Sequence, residues 1–373
     1  MKLDKALYGC VESAKLWHDH LRKTLESLGF TVNPHDICVF NKGDVKDGTQ
    51  CTIALHVDDL MITCKNKAII DIVVADIIGV YKDVAVRRVT VHPYLGMTFD
   101  FSKEGKVQVS MDGYVTDLLE HFEVRGKAKT PATADLFTVN DEAMKLGQVD
   151  KEAFHSKTAK LLYLGKRVRP DILTAIVFLA TRVQGPDTDD AKKLERVLMY
   201  LNGTREMCLT LEAMDPVQVI AYIDASYGVH VNGKSHTGSV ITFGKGAIHA
   251  RSAKQKLVSK SSTESELVAL SDEASPVLWM RNFLLHQGYQ PQPAKIFQDN
   301  KSTITMAEKG RSTSDKTRHI NIRYFFVKHY MDSDELKIEY LPTEEMVADV
   351  LTKPLQGDLF RRMRNKLLNV DDA

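Results

Sequence analysis

The sequence lacks a hydrophobic run of membrane-spanning length. No apolar stretch approaches the roughly 18 residues that a transmembrane helix needs, and the first residues, MKLDKALYG, contain no signal-peptide core. These absences argue against an integral membrane protein and against a secreted one. We therefore expect an intracellular protein with no membrane partner.

Cysteine is scarce, and its spacing excludes two further classes. There is no CxxC pair and no histidine at zinc-binding spacing, so neither a disulfide framework nor a zinc knuckle is indicated. We expect the five cysteines to be reduced and mostly structural; they are Cys10, Cys38, Cys51, Cys64 and Cys208.

The chain also lacks an excess of either charge. Lys and Arg number 50 and Asp and Glu 49, for a net charge of +1, which argues against a uniformly basic nucleic-acid-binding protein. Basic residues are nevertheless concentrated in two segments without acids, at 251–260 and 316–328. Solvated loops would have the same composition. The nucleic-acid-binding candidates in these segments are Arg251, Lys254, Lys256, Lys260, Arg318, His319 and Arg323.

With 373 residues, the chain is long enough for two or three structural units. Apolar periodicity predicts an α+β unit first, with a helix over 11–30 and two strands folded back around Asp58 and Asp59. A polar stretch from about 125 to 150 predicts a surface linker or long loop, and helices follow it. From residue 216, three strands, a long helix over 262–286, a strand, helices, a strand and a last helix from Glu344 predict a mixed sheet covered by helices. Pro276 is expected to kink or interrupt the long helix.

Four acidic residues in the last third are the main functional candidates. Asp224 ends an apolar strand, Glu266 opens the long helix, Asp299 follows a short strand, and Asp349 lies in the last predicted helix. Carboxylate oxygens are the ligands that hard divalent cations prefer, and two such ions roughly 3.5–4 Å apart can hydrolyse a phosphodiester. Each acid also has an ordinary explanation as a turn, cap or solvated residue.

The glutamate at the start of the long helix is ambiguous from pattern alone. Thr263-x-x-Glu266 and Ser261-x-x-Glu264 both match a capping box, and both glutamates flank the apolar stripe of the helix.

Taken together, the motifs around the four acids resemble the ribonuclease H domain of copia-type long-terminal-repeat retrotransposon polyproteins. The matching segments are AYIDAS at 221–226, SSTESELVAL at 261–270, QDNKSTI at 298–304 and VADVLTKPL at 347–355. The resemblance selects Glu266 rather than Glu264 as the metal ligand. It implies that Asp224, Glu266 and Asp299 hold one ion and that Asp224 with Asp349 holds a second.

The earlier segments resemble the reverse transcriptase of the same family. They are KALYGCVESAKLWHDHL at 5–21, ALHVDDLMITC at 54–64 and YLGKRVRPDI at 163–172. The resemblance implies that Asp58 is a polymerase metal ligand and Asp59 its neighbour. His56 stands where the family has Tyr. The family's other polymerase aspartate lies in a segment before KALYG, so we expect an incomplete polymerase site and no independent polymerase activity.

The resemblance implies a fold of α+β and α/β type. We expect a truncated reverse-transcriptase palm with a thumb-like region over 1–125, a linker and helical connection over 126–215, and a ribonuclease H-like domain over 216–373. That last domain should contain a mixed five-stranded sheet flanked by helices.

The implied function is two-metal cleavage, with Mg²⁺ or Mn²⁺, of the RNA strand of an RNA/DNA hybrid. Other retrotransposon Pol or Gag products are the implied protein partners, in cytoplasmic virus-like particles and in the nucleus. Many ribonucleases H carry a mobile His before the last Asp, but YLPTEEMVAD at 340–349 has none. The alternatives are a decayed retroelement relic that binds nucleic acid without turnover, and an integrase- or transposase-like nuclease, which usually has Glu in place of Asp349.

Overall fold

The first part of the chain forms an antiparallel sheet with two helices. The computed structural model describes residues 10–309 and 318–371, without the side chains of residues 11, 318–322 and 324. The sheet has the order β1-β2-β3-β4. The elements are α1 (Val11–Ser27), β1 (Thr31–Asn33), β2 (Asp36–Lys42), β3 (Cys51–His56), β4 (Asp59–Cys64) and α2 (Lys67–Tyr81).

This first compact unit extends to Val89 and also includes Trp279–Pro291. Its core forms because Leu21 and Leu25, one helical turn apart, place one face of α1 against apolar side chains from the sheet and from α2. Phe40 and Ile53 come from neighbouring strands and are fully buried. The predicted hairpin around Asp58 and Asp59 is β3 paired with β4.

The second compact unit comprises Thr90–Leu278 and Gln292–Ala373 and contains two sheets. One has the order β11-β8-β7-β6-β5, and the other has the order β12-β10-β9-β13-β14. The strands are β5 (Val91–Tyr94), β6 (Met97–Asp100), β7 (Lys106–Ser110), β8 (Leu209–Ala213), β9 (Ile220–Ser226), β10 (His236–Thr242), β11 (Gly244–Lys245), β12 (His249–Lys254), β13 (Ala294–Gln298) and β14 (Leu336–Tyr340).

The sheet centred on β9 confirms the predicted mixed five-stranded architecture. β9 pairs antiparallel with β10 and parallel with β13, and β13 pairs parallel with β14. The helices of the second part of the chain are α3 (Asp112–His121), α4 (Gln148–Gly165), α5 (Leu173–Ala180), α6 (Thr188–Gly203), α7 (Ser262–His286), α8 (Lys301–Lys309), α9 (Arg318–Asp332) and α10 (Gly357–Leu368). Helix α7 has the predicted bounds and runs through Pro276 without interruption.

The end of the chain differs from its prediction of one helix from Glu344. Two 3₁₀ turns, Thr343–Glu345 and Val347–Leu351, precede α10. Met346 between them is extended, with φ −68° and ψ 97°, and Pro354 lacks the N–H that would continue a helix. Asp349 therefore lies on a short 3₁₀ turn. We call residues 347–353 the Asp349 turn.

The stretch between α3 and α4 is a long loop, as predicted, but part of it is buried. Leu136 is 1% exposed and joins a core with residues of α4, α5, α6 and α10. Strand β8 pairs with β7 on one side and β11 on the other. The sequence predicted three domains, over 1–125, 126–215 and 216–373. These boundaries differ from those of the two compact units, and the three-domain division stays a prediction.

Among the described residues, no helix combines the length and the apolar character needed to cross a bilayer.

A buried ion pair just before α5 anchors the chain to the end of α6. Arg169 donates to both carboxylate oxygens of Asp171, at 3.0 and 2.8 Å, and also to the carbonyl of Thr204 at 2.9 Å. The hydroxyl of Tyr200 donates to Asp171 at 2.6 Å. Both charged side chains are 1% exposed, so each relies on the opposite charge of the other in place of water.

We predict that Asp171→Asn lowers the free energy of unfolding by about 3–5 kcal/mol, because it leaves a buried guanidinium without its counter-charge. Tyr200→Phe removes only one hydrogen bond to that carboxylate and should cost about 1–3 kcal/mol. Urea unfolding followed by circular dichroism measures both values. Equal losses in the two variants would show that the ion pair is not the dominant contribution.

Candidate metal centre

The candidate centre lies where the mixed sheet changes direction of pairing. Asp224 is near the carboxyl end of β9, and Asp299 follows the carboxyl end of β13. Because these two strands are parallel neighbours, their carboxyl ends meet at the same edge of the sheet. Asp224 is 1% exposed, and its backbone faces Gly238 of β10.

Three of the predicted acids come together at this edge. Asp224, Glu266 and Asp299 each offer a carboxylate oxygen, and these oxygens lie within 4.8 Å of one another. Ligands on opposite sides of a Mg²⁺ or Ca²⁺ ion are about 4–5 Å apart, since each lies about 2.0–2.6 Å from the ion. The donor set is all oxygen, which is the chemistry that these hard cations require. The three carboxylates therefore fit a divalent cation.

The structure separates the roles of the two glutamates. Glu266 is 5% exposed and belongs to the cluster, where Gln298 Nε2 lies 3.4 Å from its Oε2. Glu264 is only half-buried; its Oε2 accepts a hydrogen bond from the backbone N–H of Lys260 at 2.6 Å, and its own N–H donates to Ser261 Oγ. Glu264 is thus the capping glutamate of α7, which leaves Glu266 for the cluster.

A similar separation applies to Asp299, for which helix capping was the ordinary explanation. The cap of α8 is Asn300, whose Oδ1 accepts from the N–H of Thr303 at 3.0 Å. Asp299 instead accepts a hydrogen bond from the Thr343 hydroxyl at 2.8 Å. Its carboxylate is directed to the centre by a residue from the segment before the Asp349 turn.

Asp349 reaches the cluster through a lysine. Lys353 Nζ lies 2.8 Å from Asp349 Oδ1 and 3.4 Å from Asp224 Oδ2. The hydroxyl of Thr352 also donates to Asp224. The four predicted acids therefore lie together. Glu266 and Asp299 cluster directly with Asp224, and Asp349 is linked to Asp224 through Lys353.

Burial and mutual repulsion disfavour the charged forms of Glu266, Asp299 and Asp349. Burial, followed by Asp224 and Asp299, raises the pKa of Glu266 well above its usual value. Burial and the charge of Asp224 raise the pKa of Asp349 to about 7. Burial also raises the pKa of Asp299, and Asp224 adds to this effect. Burial alone would lower the pKa of Lys353, but Asp224 and Asp349 raise it overall.

Sequence reasoning missed the side chains that hold the acids in place. Gln298 and Thr352 are fully buried, and neither stood out as a candidate. Their signal was adjacency, since Gln298 precedes Asp299 and Thr352–Lys353 follows Asp349 by three and four residues. Thr343, in the segment that lacks the expected histidine, contacts Asp299 but has no group that titrates near neutral pH.

In the first compact unit, the predicted polymerase pair lies at the tip of the β3–β4 hairpin. Asp58 is in the turn and Asp59 begins β4, and both are exposed, as is His56. Val57 has a φ of 53°, which is unusual for a β-branched residue. Trp17 Nε1 donates to the Val57 carbonyl at 2.8 Å, so helix α1 supports this turn.

The predicted nucleic-acid-binding residues fall into four groups: exposed, half-buried, ion-paired, and outside the described side chains. Lys256 and Lys260 are exposed, whereas Lys254 is half-buried. Burial, together with Lys234 and Arg182, lowers the pKa of Lys254.

The guanidinium groups of two predicted arginines are ion-paired with acidic residues. Arg251 pairs with the fully buried Glu273, and Arg323 pairs with Asp272. The side chains of Arg318 and His319 lie outside the described residues. The nucleic-acid-binding role of all seven residues stays a prediction.

Gly238 determines how closely the Asp349 turn approaches β10. A Cβ at this position would lie 2.6 Å from Thr352 Cγ2, 2.9 Å from the Ala348 carbonyl oxygen and 2.9 Å from Leu351 Cβ. The Ala348 oxygen and the Leu351 Cβ are fixed to the main chain, so they cannot move unless the turn moves.

We predict that Gly238→Ala displaces the Asp349 turn and lowers the free energy of unfolding by about 1–3 kcal/mol, the usual cost of overpacking. Gly113→Ala, in helix α3 with open space around the new methyl, is the matched control and should be neutral or slightly stabilising. Thermal unfolding of both variants tests this. Equal melting temperatures would contradict the close approach at Gly238.

Comparison with known proteins connects both parts of the chain to one group. Residues 1–134 match the family model described as reverse transcriptase (RNA-dependent DNA polymerase). The Pol polyprotein of transposon TNT 1-94 from Nicotiana tabacum is 28% identical over 96% of this chain and 27% of that protein. The Pol polyprotein of transposon RE1 from Arabidopsis thaliana is 27% identical over 98% of this chain and 25% of that protein. The chain thus spans about a quarter of the length of these curated relatives.

A solved structure shares the overall fold. The foamy viral protease-reverse transcriptase, in complex with an RNA/DNA hybrid, matches 98% of this chain and 40% of that chain with a TM-score of 0.51 and 11% identity. At that identity the likeness concerns the fold alone. The resemblance seen in the sequence motifs is confirmed: over nearly its whole length the chain is homologous to the Pol polyproteins of copia-type retrotransposons, with a reverse transcriptase family match in its first 134 residues.

Proposed function

We propose that the second compact unit cleaves the RNA strand of RNA/DNA hybrids in a reaction that depends on divalent metal ions. The observation that carries this proposal is the group of three carboxylates, Asp224, Glu266 and Asp299, within 4.8 Å at one edge of a mixed sheet. The mixed five-stranded sheet around β9, which is the kind of sheet that the motif resemblance implies, supports it. So does the fact that a protein sharing the fold was solved with an RNA/DNA hybrid bound.

Asp224, Glu266 and Asp299 would hold one ion, and Asp224 with Asp349 a second. Bound Mg²⁺ or Mn²⁺ supplies an activated water and stabilises the leaving oxygen. The protein's own part is positional: Gln298 orients Glu266, Thr343 orients Asp299, and Thr352 orients Asp224. A second ion at Asp349 would replace or join the ammonium of Lys353, which already pairs with Asp349 Oδ1.

Substrate choice would follow from the geometry of the hybrid and from RNA 2′-hydroxyl contacts, not from base reading. Lys256 and Lys260 precede the helix that carries Glu266 and are exposed, so they are placed to meet phosphates. Binding through such residues should weaken as salt rises.

We predict that Glu266→Gln abolishes hybrid cleavage, because it removes a metal-binding carboxylate. Glu264→Gln is the matched control, two positions away on the same helix; it should keep cleavage and lose only part of a helix cap, about 0.5–2 kcal/mol. Cleavage of a labelled RNA/DNA hybrid in Mg²⁺ or Mn²⁺ measures both. Asp224→Asn and Asp299→Asn should behave like Glu266→Gln; unchanged cleavage in either would disprove the metal assignment.

The same assay with RNA/DNA hybrid, double-stranded DNA and single-stranded RNA distinguishes the competing functions. Cleavage of double-stranded DNA but not of hybrid would favour an integrase- or transposase-like nuclease. Binding of hybrid without turnover by the intact chain would favour a decayed relic. Single-stranded RNA serves as the control for nonspecific nuclease.

We also predict that divalent ions stabilise the protein, because a cation relieves repulsion among buried carboxylates. At a hundred times the dissociation constant, a single site would add about 2.7 kcal/mol to the free energy of unfolding. Thermal unfolding with Mg²⁺ or with EDTA measures the effect. The increase should be lost in Asp224→Asn, and an increase that persists there would place the ion elsewhere.

The polymerase is a second candidate function, favoured by the family match over residues 1–134. Asp58 and Asp59 are exposed at the hairpin tip, as a polymerase site would require. Among the described residues, however, only one group has three metal-binding side chains with ligand atoms within 4.8 Å of one another, and it is the group at Asp224. We therefore expect no primer extension by the purified chain; robust metal-dependent extension would refute this.

A further inference from the structure

A chain of hydrogen bonds runs from a buried histidine pair to the Asp349 turn. His230 Nε2 lies 3.0 Å from His236 Nδ1, and His236 Nε2 lies 2.7 Å from Ser252 Oγ. Ser252 Oγ donates its proton to the Leu351 carbonyl at 2.8 Å. All three side chains are less than 10% exposed. None of them belongs to the carboxylate cluster.

The direction of every bond in this chain follows from the last one. A serine hydroxyl has one proton, and Ser252 gives it to Leu351, so Ser252 must accept from His236 Nε2–H. A neutral His236 then has a free lone pair on Nδ1, which accepts from His230 Nε2–H. With both imidazoles neutral, the two histidines are therefore Nε2–H tautomers.

The surroundings keep this pair neutral and immobile. Burial, followed by the charges of His230 and Lys254, lowers the pKa of His236 to about 3. Burial, with Lys254, lowers the pKa of His230 to about 4. Phe137 packs against both rings, at centroid distances of 5.2 and 5.3 Å. The rings cannot rotate freely, and the chain keeps one direction.

The Asp349 turn needs such partners because it is a short 3₁₀ helix. The last carbonyls of a helix have no partner within it. Two consecutive carbonyls at the end of this turn are satisfied by hydroxyls from other elements: Val350 by Thr174 at 2.7 Å, and Leu351 by Ser252. The next residue, Thr352, donates to Asp224. The main chain on the carboxyl side of Asp349 is thus held from α5, from β12 and from β9.

We propose that His230, His236 and Ser252 are positioning residues that hold the Asp349 turn, and with it the Asp349 carboxylate, in register with Asp224. The consequence for metal binding rests on the proposed function; the effect on the turn does not. An apolar residue at position 236 would fill the core equally well, but it could not direct the Ser252 hydroxyl to the turn.

The first test examines the tautomers in the full chain without metal. Long-range ¹H–¹⁵N correlation spectra of the imidazoles should show Nε2–H for both His230 and His236. An Nδ1–H tautomer at His236 would overturn the proposal, because Ser252 could not then accept from it.

The second test measures the turn itself and its affinity for Mn²⁺. Ser252→Ala should speed hydrogen exchange at the amides of Thr352 and Lys353, which both donate to the Asp349 carbonyl, by about tenfold or more. It should also weaken Mn²⁺ binding, followed by electron paramagnetic resonance, by about tenfold, as losses of outer partners of metal ligands do. Ser252→Thr, which keeps the hydroxyl, should restore both values.

The control is Thr158→Val, which removes an equally buried hydroxyl whose bond, to the Phe154 carbonyl at 2.8 Å, lies within α4. It should lower the melting temperature without changing exchange at the turn or Mn²⁺ affinity. His236→Leu should resemble Ser252→Ala, and His236→Gln should be milder because it keeps a donor.

Equal effects of Ser252→Ala and Thr158→Val on exchange at the turn would overturn the positioning role. If Ser252→Ala alone loosens the turn but the unaltered protein binds no Mn²⁺, the positioning of the turn stands and the proposed function fails.

Discussion

The structure of the second unit depends on one unfavourable interaction, the mutual repulsion of carboxylates brought together in a nearly dry site. Asp224, Glu266 and Asp349 are each 5% exposed or less. Such charges cost several kcal/mol each to bury unless they are paired or bind a metal. The raised pKa values of Glu266 and Asp349 express this cost directly. The site is stable only because the rest of the fold holds the acids against it.

Three kinds of support do this, and each belongs to a different layer of the structure. The parallel pairing of β9 with β13 sets Asp224 beside Asp299. Buried polar side chains such as Gln298 and Thr352 orient the carboxylates. Lys353 supplies a positive charge that contacts both Asp224 and Asp349. A cation that replaced or joined this ammonium would meet a preformed site, which is the usual condition for efficient metal chemistry.

The prediction of the fold succeeded where local signals were strong. Helix α7 has a capping serine and a capping glutamate, and its predicted bounds match. The prediction failed after Tyr340, where apolar spacing resembled a helix but an extended Met346 and Pro354 divide the segment into short turns. There, contacts of the turn with β10 and with Ser252 override local propensity.

The sequence by itself determined which residue types are available and in what order: four acids in their motifs, strands and helices that alternate, and a homology that extends through both units. Residue patterns alone, without the family resemblance, could not separate Glu264 from Glu266, or a cap from a cluster residue at Asp299, because a carboxylate satisfies either role equally well in sequence. The tertiary structure shows which carboxylates cap helices and which ones cluster. Contacts at Lys260 and Asn300 show where the caps are. Asp224 and Asp299 converge because parallel strands end at one edge, and Glu266 joins them from helix α7. The roles of Ser252 and Gly238 are likewise visible only in three dimensions, since their partners in the Asp349 turn lie more than 90 residues away along the chain.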